Sequence, residues 1–246
     1  KELLKQYGKL YEEYKNEKEI WIQKPDFYRK DLFIGSSCRL EQIITPIPYH
    51  YMVHHTHNTK EFIQYLNYIK NNIDIPRDLE AKVFRSQFVK AQQGKDLLQI
   101  DKKKLLQEYS NSKAVVIEIC SQKIYKKNNF YIHHLAADHG DITARAEKPS
   151  KVAKIQSKEE LFNDLKTIKE MTSDKQLLIV SHINPYNFVK REEFIDQISQ
   201  CCDKLNINFL NLSKIITKEH GGDPNHLNPL GQSVIKKVVL SKLKTI

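Results

Sequence analysis

Two short motifs, one near each end of the chain, contain the residue types that acyl-transfer chemistry uses. The first is Gly35-Ser36-Ser37, which closes an apolar segment, and the second runs from Asp223 to His226 just ahead of a final helical segment. A serine hydroxyl, an imidazole that takes its proton and a carboxylate that orients the imidazole make a complete nucleophilic set. The pair of motifs therefore predicts a serine hydrolase or an acyltransferase.

The first motif is expected at a turn from a strand into a helix. A side chain at such a turn points over the carboxyl edge of the sheet, and Gly35 permits a tight turn there. The free amide groups at the start of the following helix are donors for a developing oxyanion. The alternative interpretation is that Ser36 and Ser37 only cap the helix, a common role for serine.

The second motif is expected on the loop before the last helix. Asn228 is a favoured N-cap residue, and Pro229 suits the first helical position. On that loop the Asp223 carboxylate can bind one imidazole nitrogen of His226, which leaves the other nitrogen to act as the base. An ordinary Asx-type turn with an incidental histidine is the alternative.

Alternating strand and helix patterns predict the framework that positions these motifs. The segments 114–120 and 177–181 are continuously apolar, apart from Glu118, which is typical of parallel strands buried on both faces. An α/β fold with a three-layer α/β/α arrangement and right-handed crossovers follows. The predicted strands are 31–36, 50–55, 114–120, 176–182 and 207–212, and the predicted helices are 40–44, 60–72, 95–109, 158–172, 191–205 and 230–242.

The chain divides into an N-terminal helical extension, residues 1–25, and an α/β domain, residues 26–246. Residues 1–22 carry apolar side chains at helical spacing, so they form a predicted amphipathic helix, and Pro25 ends it. Segments of about 75–93 and 121–154 exceed the minimal strand–helix pattern. Long insertions after parallel strands usually shape a ligand site.

With these motifs the chain resembles the SGNH/GDSL hydrolase superfamily over about residues 31–244. The first block of that family reads Gly-Asp-Ser, which aligns Ser37 with the nucleophile. Its last block, Asp-x-x-His, is matched by Asp223 and His226. The resemblance implies a flavodoxin-like three-layer sandwich with about five parallel strands and a Ser-His-Asp triad.

The two middle blocks of the family differ in this chain. A glycine is expected after the second strand, where His54-His55-Thr56-His57-Asn58 stands, and Gly-x-Asn after the third, where Cys120-Ser121-Gln122 stands. The carboxamide of Gln122 is the expected substitute in the oxyanion hole, beside the amide of Ser37. Asn58 is a second candidate donor.

The remaining candidate residues are predicted to border the cleft. His55 and His57 share one face of a strand and are candidates for substrate or oxyanion binding, with structural roles as the alternative. No acidic residue or cysteine adjoins them, so no metal site is predicted. His182 and Asn184 end the fourth strand, where they are expected to line the cleft or to hold loops.

Charge and composition limit the partners. Lys and Arg exceed Asp and Glu, which gives a net charge of +10. Such a balance favours an anionic glycan or a phosphate-bearing cofactor, although a lysine-rich solubilising surface would look the same. Nucleic acid is disfavoured because no aromatic-plus-basic motif occurs.

No transmembrane segment is expected, because no apolar run is long enough to cross a bilayer. The irregular spacing of the four cysteines favours the reducing cytoplasm. Export is left open for a chain whose signal peptide has been removed.

Three functions remain after these restrictions. The first is a serine esterase that acts on O-acyl esters, expected to be acetyl esters, of a carbohydrate and needs no cofactor. The second is an O-acyltransferase that uses the same triad to move an acetyl group, for example from acetyl-CoA, onto a surface polysaccharide. The third is a non-catalytic module of a glycan-related protein, suggested by the altered middle blocks.

Overall fold

The computed structural model describes residues 31–40, 55–136 and 154–244, apart from positions 38, 86, 88–90, 92, 93, 98 and 135. The predicted N-terminal helix, most of the predicted strand 50–55 and most of the predicted helix 40–44 lie outside these residues. The strands are β1 (Leu32–Gly35), β2 (Ala114–Ile119), β3 (Lys123–Ile124), β4 (Lys126–Lys127), β5 (Phe130–Tyr131), β6 (Lys154–Ile155), β7 (Gln176–Ser181) and β8 (Asn208–Leu210). The helices are α1 (Thr59–Ile69), α2 (Arg77–Val83), α3 (Lys102–Asn111), α4 (Lys158–Met171), α5 (Val189–Leu205) and α6 (Pro229–Lys244).

A parallel sheet of four strands, in the order β1-β2-β7-β8, forms the centre of the α/β fold. An isolated parallel bridge joins Ser36 to His55 just beyond β1. That bridge places the chain entering α1 beside the outer edge of β1. The carboxyl ends of β1 and β2 and the residues around His55 consequently meet at one edge of the sheet.

Buried apolar side chains cover both faces of the sheet, as expected for continuously apolar parallel strands. In β2, Val115 and Ile117 join the cluster that contains side chains of α1, α3, α4 and α5. Val116, between them, joins the cluster that contains Ile235 and Val239 of α6. Glu118 is also buried in β2, and it is the charged residue of a strand whose other side chains are apolar.

Polar side chains cap the helices at several of the predicted boundaries. Asn58 precedes α1 and its side chain accepts from the amide of Glu61, while Ser157 and Glu160 form a capping box at the start of α4. The prediction for the last helix is confirmed, because Asn228 accepts from the amide of Gly231 at 2.9 Å and Pro229 is the first helical residue.

Several predicted elements are too long. The helix expected over 60–72 ends at Ile69. The helix expected over 95–109 begins only at Lys102, because the Asp101 side chain accepts from the Lys104 amide and caps it there. The strand expected over 207–212 ends at Leu210, since the Asn211 side chain caps a short 3-10 turn that follows. Helix α2 and the hairpin formed by β4 and β5 have no counterpart in the sequence prediction.

Within the described ranges, no helix combines the length and the apolar character that crossing a membrane would require.

Candidate functional site at the carboxyl edge of the sheet

The Ser37 hydroxyl lies at the end of β1 and is fully buried. It donates to Glu118 Oε2 at 2.5 Å, and the Ser37 amide donates to the same oxygen at 3.2 Å. A hydroxyl–carboxylate distance of this size is typical of a charge-assisted hydrogen bond. In this structure, the acceptor of the predicted nucleophile is therefore a carboxylate on the neighbouring strand.

Arg39 connects the first motif to the last one. Its Nε donates to Glu118 Oε1 at 3.1 Å, and its Nη1 donates to the backbone carbonyl of Asn225 at 2.8 Å. The Arg39 amide also lies 3.4 Å from the Ser37 hydroxyl oxygen. One side chain thus spans from the buried carboxylate beside Ser37 to the loop that carries His226.

Asp223 and His226 form the predicted acid–imidazole pair. The Nδ1 atom of His226 lies 2.6 Å from Asp223 Oδ2. The other carboxylate oxygen accepts from the amides of Asn225 and His226 at 2.7 and 2.9 Å, which fixes the loop. These hydrogen bonds, the one from His226 first, lower the pKa of Asp223. Among the residues that the structure describes, no hydrogen bond joins Ser37 to His226.

A cavity of about 450 Å³ opens beside these residues. Its wall includes His226 and Asn225 from the last motif and Cys120 from the end of β2. Four cationic side chains border the same space, namely Arg39, Arg85, Lys123 and Arg191. A concave wall with this charge favours an anionic ligand.

Another part of the cavity wall is rich in imidazole. His57 and His134 line it, and His133 lies directly behind them with ring centroids 4.6 and 4.4 Å from theirs. Burial, followed by the neighbouring imidazoles, lowers the pKa of His57 well below its usual value. Burial also raises the pKa of Glu61, on the same wall, to about 8.

The predicted oxyanion donors have other partners. The Gln122 carboxamide donates to Gln197 at 3.2 Å, and that of Asn58 donates to Glu61 at 2.7 Å. Gly35 allows a close approach rather than a turn, because a Cβ atom on it would lie 2.2 Å from a ring carbon of Phe62. The amide of Ser37 is bound to Glu118, as described above.

The other predicted residues divide between the cavity and its supports. His182 lines the cavity, and its Nδ1 atom lies 2.6 Å from the Ile183 carbonyl, while burial lowers its pKa. Asn184 is buried and accepts from the Phe188 amide at the start of α5, so it holds a loop. His55 is buried, with its Nδ1 atom 3.5 Å from Arg85.

Several residues of the site were not predicted from the sequence. Glu118 had a visible signal, since it is the charged residue in an otherwise apolar strand. Arg39 follows the first motif directly, but nothing in its spacing indicated that it would reach Asn225. His133 and His134 come from the long segment after β2, and only the three-dimensional fold brings them to His57.

Comparison with known proteins gives one match to a family. The family described as the TviD N-terminal domain matches residues 41–140. No curated protein matches the chain. A solved crystal structure aligns at 8% identity and a TM-score of 0.34 over 55% of this chain, and the chain covers 65% of that structure's chain, less than two thirds. A likeness of that size supports no statement about fold or function.

Proposed function

We propose that this protein transfers an O-acetyl group to a hydroxyl of a polysaccharide, with Ser37 as nucleophile, His226 as base and Asp223 as the residue that orients the base. The observation that carries the proposal is the position of Arg39, which lines the cavity together with His226. Its guanidinium binds the carboxylate that holds Ser37 and donates to the loop that carries His226. The parallel sheet supports an SGNH-type assignment. The bridge from Ser36 to His55, on the side of β1 away from β2, also supports it.

The chemistry needs a change in the hydrogen bonding of Ser37. Its hydroxyl must leave Glu118 and turn towards the cavity, where His226 Nε2 takes the proton while the serine oxygen attacks the acetyl carbonyl. The leaving group departs with that proton, and an acyl-serine remains. A sugar hydroxyl then gives its proton to His226 as its oxygen attacks the acyl carbon. His226 returns that proton to the departing serine oxygen, which restores the serine and leaves the acetyl group on the sugar.

The charges around the cavity support the remaining roles. Arg39 and Arg191 both line the cavity, so their guanidinium groups are the candidates to stabilise a developing oxyanion. Asp223 fixes the imidazole and stabilises its protonated form. Glu118 is an unsuitable base for the second half of the reaction, because it is 1% exposed and its charge is already paired with Arg39.

Cys120 is the competing nucleophile on the cavity wall. Burial, and then the charge of Glu118, raise the pKa of its thiol well above the usual value. A thiol that stays protonated at neutral pH is a poor nucleophile. The serine assignment is therefore preferred to a cysteine one.

The substrate class rests on two observations. The TviD N-terminal domain match over residues 41–140 suggests a role related to polysaccharide acetylation. The cationic wall suits an anionic glycan, and it equally suits the phosphates of acetyl-CoA as the donor.

The nucleophile is tested by comparing Ser37→Ala with Ser36→Ala, a matched change at the adjacent buried serine. The protein is incubated with acetyl-CoA and an acidic oligosaccharide, and the mass of the sugar is measured. We expect the acetyl mass gain to disappear in Ser37→Ala and in His226→Ala and to persist in Ser36→Ala. A fluorophosphonate probe should label the wild type but not Ser37→Ala. Undiminished labelling of the folded Ser37→Ala variant would reject the assignment.

Hydrolysis of the same ester is the second candidate. The 63% exposure of the His226 side chain favours it, because water can reach the base as readily as a sugar can. An acetylated oligosaccharide incubated without a donor separates the two reactions. A loss of acetyl mass indicates hydrolysis, whereas a gain that requires acetyl-CoA indicates transfer.

A further inference from the structure

Three histidines form a compact group at the cavity wall. His57 precedes α1, and His133 and His134 follow the hairpin of β4 and β5. One ligand atom from each lies within 4.8 Å of the others. Their rings are inclined at 69°, 82° and 38° to one another, so they converge without forming a parallel stack.

We propose that His57, His133 and His134 bind one divalent transition-metal ion of the Zn²⁺ type, with its fourth coordination position open to the cavity. Three imidazoles plus one open position is the ligand set of a catalytic zinc site. Imidazole ligands also favour zinc, copper or nickel over magnesium and calcium, which take oxygen ligands.

The geometry needs little adjustment to accept the ion. With Zn–N distances of about 2.0–2.1 Å, the three nitrogens of a tetrahedral site lie about 3.3 Å apart. Starting from separations within 4.8 Å, each nitrogen moves inwards by about 1 Å or less. Side-chain rotation alone supplies such a shift.

The backbone around the ligands is already fixed. The carbonyl of His57 accepts from the amides of Cys120 and Ser121 at 2.9 and 3.0 Å, and its amide donates to Glu61 at 2.8 Å. The amide of His133 donates to the Lys82 carbonyl at 2.8 Å. Ligands anchored in this way lose less freedom on binding than ligands on an unattached loop.

A buried ring nitrogen without a hydrogen bond also points to a ligand. The Nδ1 atom of His57 is buried and, within the described part of the chain, has no hydrogen-bond partner. Its closest acidic atom is Glu61 Oε2 at 3.9 Å, beyond hydrogen-bond distance.

An ion at this position would face the same cavity as His226, since His57 and His134 line it. Its open position would take an oxygen of a ligand in that space, such as a carbonyl, carboxylate or phosphate oxygen. From the sequence no metal site was expected, because His55 and His57 lack a nearby third ligand along the chain. The two missing ligands come from the long segment after β2.

The test uses the full chain without a polyhistidine tag, stripped by a chelator and reloaded with Zn²⁺. We expect one zinc per chain to remain after gel filtration, and Mg²⁺ not to bind. His57→Ala combined with His134→Ala should weaken zinc binding by more than the roughly 10–100-fold that loss of a second-shell partner costs. His220→Ala, a change at a partly buried histidine outside the cluster, is the control and should bind zinc as the wild type does.

X-ray absorption of zinc-loaded wild-type protein provides a measurement that does not depend on any variant folding. Three imidazole ligands without sulfur are expected. A sulfur ligand, fewer than three imidazoles, or no retained zinc would overturn the proposal. Zinc binding that persists in the folded double variant, or disappears in His226→Ala, would place the ion elsewhere and would also overturn it. None of these measurements depends on acyl transfer, so the result stands apart from the test of Ser37.

Discussion

Glu118 is a carboxylate inside a buried parallel strand, and its three hydrogen bonds determine where Ser37 and Arg39 lie. Both oxygens are used, one by the serine and the other by the guanidinium. Burial makes this arrangement costly unless every partner is present. At the scale of single residues, the position of Ser37, the proposed nucleophile, therefore depends on Glu118, which does not line the cavity.

Glu118→Gln should lower the free energy of unfolding by about 3 kcal/mol, since it removes the carboxylate charge from a largely buried ion pair with Arg39. The amide group of the new glutamine would also direct its N–H groups at Ser37 or Arg39, which are themselves donors to Glu118. Urea denaturation monitored by circular dichroism measures the change. In a double-mutant cycle, Arg39→Met should lower the free energy of unfolding much less in the Glu118→Gln variant than in the wild type, because the two residues interact.

Asp74→Asn is the matched control for this change. Asp74 pairs with Lys102 but is 94% exposed, so its loss should cost less than about 1 kcal/mol. If Glu118→Gln proved as mild as Asp74→Asn, Glu118 would not be the anchor of this edge.

Close contact between β1 and α1 controls the elements that present the site. A Cβ atom at Gly35 would meet Phe62 ring atoms at 2.2 and 2.3 Å, and Phe62 is completely buried. The helix packs against the last residue of the strand. Because Gly35 has no side chain, α1 can pack directly against the end of β1, two residues before Ser37.

Gly35→Ala should destabilise the protein by about 1–3 kcal/mol through overpacking. Thermal unfolding measures this, and Phe62→Leu introduced into Gly35→Ala should cost less than it does in the wild type. Gly222→Ala is the control, because its nearest atoms are 3.7 Å away and the melting temperature should hardly change. Equal melting temperatures for the two alanine variants would contradict the packing argument.

The elements were largely predictable, because strand and helix periodicity depends on local sequence. The runs of β2 and β7 and the Asn228 cap of α6 follow from apolar patterning and capping chemistry. The predicted start of α3 was wrong because the residues before Asp101 also have a helix-forming sequence, whereas the Asp101 cap starts the helix at Lys102. Pair contacts such as Ser37 with Glu118 depend on sheet register, and sequence periodicity does not encode that.

At the scale of the whole molecule, the excess of positive charge has a local counterpart in the cavity. Lys123 and three arginines border the space beside His226. Elsewhere the positive charge is spread over the surface, as at Lys190 at the start of α5. The two interpretations of the charge predict different effects of mutation. A specific anion site depends on particular side chains, whereas a general excess of lysine does not.

Binding of an anionic oligosaccharide should weaken steeply with added salt, because the Debye length falls to about 3 Å at 1 M. A neutral oligosaccharide of equal length should show little change. Lys123→Gln should weaken anionic binding about two- to fivefold, corresponding to about 0.5–1 kcal/mol. Lys190→Gln removes the same charge from a residue that does not line the cavity, so it should have a smaller effect. Calorimetry at two salt concentrations measures the binding of both oligosaccharides to the wild type and of the anionic one to each variant. Equal effects of the two variants would indicate that the positive charge only makes the surface soluble.

The loop that carries Asp223 and His226 is attached to the body of the protein mainly through its other atoms. Arg39 and Arg191 bind the carbonyls of Asn225 and Pro224, and Arg191 also binds the Asn225 side chain. The imidazole itself contributes little to this attachment. A chain with alanine at position 226 should therefore keep its shape. If the proposed function holds, it should lose turnover but still bind its substrate, so it could be used to capture the glycan that the proposal predicts.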